Sequence, residues 1–107
     1  MTDRAARRAD LFRALHVPGR PLVLFNVWDA GSAKAVAAAG AAALATGSWS
    51  VAAAHGSADG EALPLDLARI VAATDLPVSV DLESGYGASP EGVDAEDALT
   101  LSEATEI

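Results

Sequence analysis

Apolar and polar positions along this chain switch between a helical period and short unbroken runs. Over residues 3–15 the period is helical. Ala6, Leu11, Phe12 and Leu15 can form one apolar stripe, with Arg4, Arg7, Arg8 and Arg13 on a solvated face. Val17-Pro18-Gly19-Arg20-Pro21 reads as a turn. Residues 22–27 are a continuous apolar run broken only by Asn26, as expected of a strand buried on both faces. Trp28 and Asp29 close it. A second helix is expected over 31–39, with Asp29 or Ser32 as its N-cap and Gly40 just past its end. Residues 41–45 form a short second strand, followed by Thr46-Gly47-Ser48-Trp49-Ser50. Residues 51–54 suggest a helical turn and 55–60 a loop. A third helix is expected over 65–73, introduced by Pro64. Asp75-Leu76-Pro77 then turns the chain into a third strand over 78–82. Ser89-Pro90-Glu91 carries the N-cap and first-turn signal of a further helix.

Strand, helix, strand, helix, strand argues for a parallel α/β sheet. The polar clusters gather at the C-terminal ends of the strands, where such folds build their sites. No G-x-G-x-x-G follows the first strand, so a dinucleotide-binding reading is weak. A (β/α)₈ barrel fits better. It needs eight βα units and about 250 residues, and three strands are legible here. The expected division is therefore residues 1–90 as the N-terminal part of a barrel and 91–107 as an acidic tail, helical or disordered. Asp94, Glu96, Asp97, Glu103 and Glu106 crowd that tail, and no fourth strand is read in it.

The net charge of −8 argues against nucleic acid and anionic membrane surfaces as partners. Without cysteine there is no disulfide framework, zinc–thiolate site or cysteine nucleophile within these residues. No apolar run spans a bilayer. A cytoplasmic protein is the expectation.

The chemistry concentrates in Val78-Ser79-Val80-Asp81-Leu82-Glu83-Ser84-Gly85-Tyr86-Gly87. Alternate strand residues share a face, so Ser79, Asp81 and Glu83 point opposite to Val78, Val80 and Leu82. Two carboxylates side by side at a strand end are unfavourable without a positive partner. Mg²⁺, which prefers oxygen ligands, would serve. The alternative is a solvated strand end running into a turn.

Taken in order, Leu24-Phe25-Asn26-Val27-Trp28-Asp29-Ala30-Gly31-Ser32-Ala33, Thr46-Gly47-Ser48, Gly56 with Asp59, and 81–87 resemble the N-terminal part of the isocitrate lyase/phosphoenolpyruvate mutase family. The similarity covers roughly residues 11–90. The resemblance implies a (β/α)₈ barrel, a homo-oligomer, and Mg²⁺-dependent cleavage or rearrangement of bonds beside a small 2-oxo or hydroxy carboxylate, through an enolate. It also implies roles. Asp81 would lie closest to the metal, Glu83 would reach it through water, and Asp59 would assist through water or orient its loop. Thr46, Gly47 and Ser48 would hold the substrate carboxylate. Each has a plainer alternative: Asp59 a turn former, Thr46-Gly47-Ser48 a helix N-cap, Trp28 and Trp49 packing residues, and His55 a surface histidine.

The chain departs from the family pattern in three ways. Strands four to eight and a cysteine-bearing loop are absent, the 64–75 stretch is short, and the tail breaks the rhythm. Two functions are thus expected as alternatives. One is a carbon–carbon lyase represented by its N-terminal section. The other is a non-catalytic remnant that associates through an open sheet edge.

Overall fold

The computed structural model describes residues 3–60 and 64–81 and the strand pairing of 105–106. Glu83 and the helix signalled at Ser89 lie outside the described residues. The elements are α1 (Asp3–Ala14), β1 (Phe25–Val27), α2 (Ala30–Ala38), β2 (Leu44–Thr46), α3 (Ser48–His55), α4 (Pro64–Ala72), β3 (Val78–Val80) and β4 (Thr105–Glu106).

The strands lie in sequence order, β1-β2-β3-β4, and every pair is parallel. Order is the informative point. A doubly wound sheet reverses direction at a switch point, whereas an unbroken sequential order is the winding of a barrel. The chain is therefore α/β, part of a (β/α)₈ TIM-type barrel, as the alternating pattern anticipated.

One face of the sheet carries the hydrophobic core. Val27, Leu44, Val78 and Val80 pack with Ala33, Val51, Leu67, Ile70 and Val71, contributed by α2, α3 and α4. Leu44 and Ile70 are among the largest fully buried side chains. Small residues fill much of the rest, with Ala33, Ala43, Ala45 and Ala52 all buried. Alternation sends Asn26, Ala45 and Ser79 to the other face, and the register sets them side by side: Asn26 opposite Ala45, and Ala45 opposite Ser79.

Two helix ends are built alike. After α2, the Gly40 N–H donates to Ala37 O and the Ala41 N–H to Val36 O, with Gly40 at φ +103°. After α3, the Gly56 N–H donates to Ala53 O and the Ser57 N–H to Ala52 O, with Gly56 at φ +83°. These paired bonds are the Schellman arrangement, and the left-handed residue is glycine each time because a Cβ is disfavoured there. At the start of α2, Asp29 is the N-cap. Its carboxylate accepts from the Ser32 N–H at 2.7 Å, and Ser32 Oγ in turn accepts from the Asp29 N–H. Of the two caps expected, Asp29 takes the position and Ser32 completes the box.

Besides the bounds of the second and third strands, which are Leu44–Thr46 and Val78–Val80 rather than 41–45 and 78–82, four expectations change. The first strand is Phe25–Val27 rather than 22–27, because its partner begins only at Leu44 once the turn at Gly40 has used the preceding residues. Phe25 and Asn26 are accordingly exposed, not buried on both faces. Residues 51–54 belong to a full helix that starts at Ser48. The tail supplies a fourth strand, with Thr105 opposite Ser79 and Glu106 opposite Val80. The arginines of α1 are not all solvated. Arg8 is buried and donates to the carbonyl oxygens of Val71, at 2.9 Å, and Thr74. Arg4 donates to Thr74 O and Asp75. A cation fits there because the end of a helix presents unpaired carbonyls and partial negative charge. The stripe actually buried on α1 is thus Ala5 and Arg8, with Leu11 left half exposed.

The cap makes a pH prediction. Hydrogen bonds from the Ser32 backbone and side chain hold the Asp29 carboxyl below its ordinary value of 3.8. A depressed carboxyl contributes stability above the unfolded value and loses it as pH falls through the folded one. NMR titration should therefore place the Asp29 midpoint below 3.8. Ser32→Ala, which keeps the larger backbone bond, should move it part of the way back up and partly flatten the acid limb of the pH–stability curve.

Candidate functional site

The C-terminal ends of β2 and β3 are laced together by residues at and just beyond their last positions. Asp81, two residues after Ser79, continues the core-free face. Its N–H donates to Thr46 Oγ1 at 3.4 Å, and its carboxylate accepts from the Ser48 N–H at 3.4 Å. Ser48 is the first residue of α3, so Asp81 sits at that helix's N-terminus, where partial positive charge favours an anion. Gly47, the N-cap, has no side chain to cap with, and the carboxylate of Asp81 takes that part.

Ser48 reaches a second carboxylate. Its hydroxyl donates to Asp59 Oδ1 at 2.9 Å. Asp59 lies in the α3–α4 connection, between the left-handed Gly56 and Gly60. One serine thus joins two acidic residues that are far apart in sequence, Asp81 through its backbone and Asp59 through its hydroxyl. Asp81 is partly buried and Asp59 exposed. Among the described residues no three acidic or histidine groups converge. The donors present are two carboxylates and a hydroxyl, all hard oxygen, which suits a cation that keeps much of its water.

Of the site residues anticipated from sequence, Thr46, Gly47, Ser48, Asp59 and Asp81 come together, and Glu83 lies outside the described residues. Ser48 was expected to contact substrate only; its bridging of two carboxylates was not anticipated. Nor was Asn26, whose amide nitrogen lies 3.6 Å from where a Gly47 Cβ would stand. The signal for Asn26 was available: it is the one polar residue in an apolar strand. Trp49, expected to pack, is 70% exposed beside Ser48, and Trp28 is half exposed. His55, expected at the surface, is exposed but touches Asp66.

The family model for phosphoenolpyruvate phosphomutase matches residues 12–102. The chain belongs to this family. Solved structures agree. A "putative phosphonomutase" from Burkholderia cenocepacia J2315 is 59% identical with a TM-score of 0.81, over 92% of this chain and 42% of its own. A "putative lyase/mutase" from the same organism is 43% identical with a TM-score of 0.76, over 95% of this chain and 39% of its own. A 2,3-dimethylmalate lyase of the PEP mutase/isocitrate lyase superfamily is 29% identical with a TM-score of 0.67, over 97% and 36%. An uncharacterized protein of Mycobacterium tuberculosis strain H37Rv is 38% identical over 86 residues, 77% of this chain. The chain spans 33% of that protein's length. Among the described residues, no helix of this phosphoenolpyruvate phosphomutase relative is long and apolar enough to cross a membrane.

Two glycines at the site separate by backbone geometry. Gly47 has φ −115°, open to any residue, and an added Cβ would meet Ser50 Oγ at 3.4 Å and Asn26 Nδ2 at 3.6 Å. Gly56 has open space around it but φ +83°. Gly47→Ala should therefore cost only the cap preference, about 0.5–1 kcal/mol. Gly56→Ala should cost about 1–2 kcal/mol of backbone strain. Urea denaturation of the two variants checks the order.

Proposed function

We propose that this chain is the metal- and carboxylate-binding section of a Mg²⁺-dependent lyase acting on a small 2-oxo or hydroxy carboxylate, with carbon–carbon cleavage through an enolate. The supporting observation is the Ser48 bridge, which gathers Asp59 and Asp81 at the mouth of the sheet. The similarity to a 2,3-dimethylmalate lyase supports the substrate class.

The residues fit a magnesium ion. Mg²⁺ is usually held by one or two carboxylates, the remaining positions going to water and substrate, and the oxygen-only donors here match that pattern. Asp81 would hold the ion, with Asp59 and Glu83 acting through water. When bound, the cation supplies Lewis-acid stabilisation of charge developing on a carbonyl oxygen.

The chain's own groups do the rest. With the Ser48 donors turned to Asp81 and Asp59, the Thr46 hydroxyl and the N–H groups of Gly47 and Trp49 at the start of α3 can receive a substrate carboxylate, since helix N-termini favour anions. These donors are fixed before the substrate arrives, so aligning them at the moment of reaction costs little. Ser48 orients Asp59 by donating to it, which leaves its second carboxylate oxygen available to a water molecule. The general acid or base is not assigned among these residues.

Calorimetric titration with Mg²⁺ tests the assignment. Asp81→Ala should abolish the binding isotherm, and Asp59→Asn should weaken it by roughly tenfold, as for groups that hold a metal through water. Equal binding in Asp81→Ala would remove Asp81 from the metal site.

A second reading has its own observation. Val23 is 63% exposed and Phe25 52%, beside the open side of β1. A non-catalytic module could pair there with another copy or a longer relative. Light scattering should then show a species heavier than one chain. A compact monomer that melts cooperatively would contradict this reading.

A further inference from the structure

The α3–α4 connection that carries Asp59 is fastened at two points. One is the Ser48–Asp59 hydrogen bond at its tip. The other is at its base, where His55 Nδ1 lies 3.0 Å from Asp66 Oδ2. His55 is the last residue of α3, and Asp66 lies in the first turn of α4. We propose that the His55–Asp66 contact is a clasp that positions Asp59, making His55 a positioning residue of the site; this rests on the reading of Asp59 as a site carboxylate.

Three features support the clasp. First, both partners sit at favourable helix ends. A histidine at a C-terminus faces partial negative charge and a carboxylate at an N-terminus partial positive charge, so each helix strengthens its own member of the pair. Second, Asp66 is held ready. Its side chain is only 20% exposed, and Arg69 donates to its other oxygen at 3.5 Å. His55 is therefore the movable partner meeting a fixed one.

Third, the connection needs the restraint. It leaves α3 through Gly56 at φ +83° and passes Gly60 at φ +97°, two residues with wide backbone freedom on either side of Asp59. Ala58, Asp59 and Gly60 are all exposed, so packing does not fix them. With the base closed, the tip has only a short span to search, and Asp59 stays within reach of Ser48. With the base open, the same two glycines let Asp59 swing away.

The test compares His55→Ala with His55→Asn, whose amide nitrogen can take the place of Nδ1. Two quantities are read in each: hydrogen exchange of the Ala58, Asp59 and Gly60 amides, and Mn²⁺ affinity by electron paramagnetic resonance. His55→Ala should speed exchange of those amides by roughly five- to tenfold, as expected when one modest contact is lost from a local opening. Exchange at Leu44 and Val78 should not change. Mn²⁺ affinity should fall by a similar factor, and His55→Asn should restore both. Unchanged exchange and affinity in His55→Ala would overturn the clasp, as would equal acceleration at Leu44 and Val78. If the wild type binds no Mn²⁺ while its loop exchange still responds to His55, the clasp stands and the metal reading fails.

Discussion

The structure depends on one constraint: each strand pairs in parallel with the strand next in sequence. Parallel pairing forces a crossover after every strand. The crossovers from β1 to β2 and from β2 to β3 lie on the same side, so α2, α3 and α4 share one face with the hydrophobic core. The opposite face carries smaller and polar residues, with Ala45 and Ser79 buried on it. Asn26 and Ser79 lie on it, and Asp81 follows two residues after Ser79. Parallel strands also end together, so residues following β2 and β3 become neighbours although more than thirty positions separate Ser48 from Asp81.

The two ends of the sheet divide the work. At the N-terminal end, the buried Arg8 joins α1 to carbonyls at and just past the end of α4, those of Val71 and Thr74. Its removal would leave those carbonyls poorly satisfied, a cost of about 1–3 kcal/mol for a buried acceptor. At the C-terminal end, Ser48 joins two carboxylates and the start of a helix. Polar side chains are used at both ends, for docking at one and for gathering two carboxylates at the other. This is the division expected of barrel enzymes, in which one face carries stability and the other the reaction.

The barrel winding was legible in the sequence because period and turn chemistry agreed. Alternating helical stripes and apolar runs fixed the order of elements, and Gly40 and Gly56 stand at helix ends where only glycine is comfortable. The cap at Asp29 was one of two choices, and hydrogen bonding decided between them. Arg8 was misread because amphipathic patterns treat arginine as solvent-facing, whereas a helix C-terminus can hold a buried guanidinium. The strand at Thr105–Glu106 was missed because two residues carry no period, and β3 offers an edge to whatever reaches it. The motifs singled out Thr46, Gly47, Ser48, Asp59 and Asp81, and the fold brings these residues together at one end of the sheet. The bridge through Ser48 and the contact of His55 with Asp66 depend on how α3 and α4 meet, which no local pattern encodes.

The central claim is that the strand ends of β2 and β3, with the Asp59 loop, form a cation site. Paramagnetic broadening of the amide spectrum by substoichiometric Mn²⁺ tests it most directly, because broadening falls steeply with distance from the ion. The account predicts that Gly47, Ser48, Asp59 and Asp81 lose intensity first, while residues around Arg4 and Asp75 at the opposite end stay sharp. Broadening centred on Asp66 or Asp75, or spread evenly over the acidic surface, would contradict it.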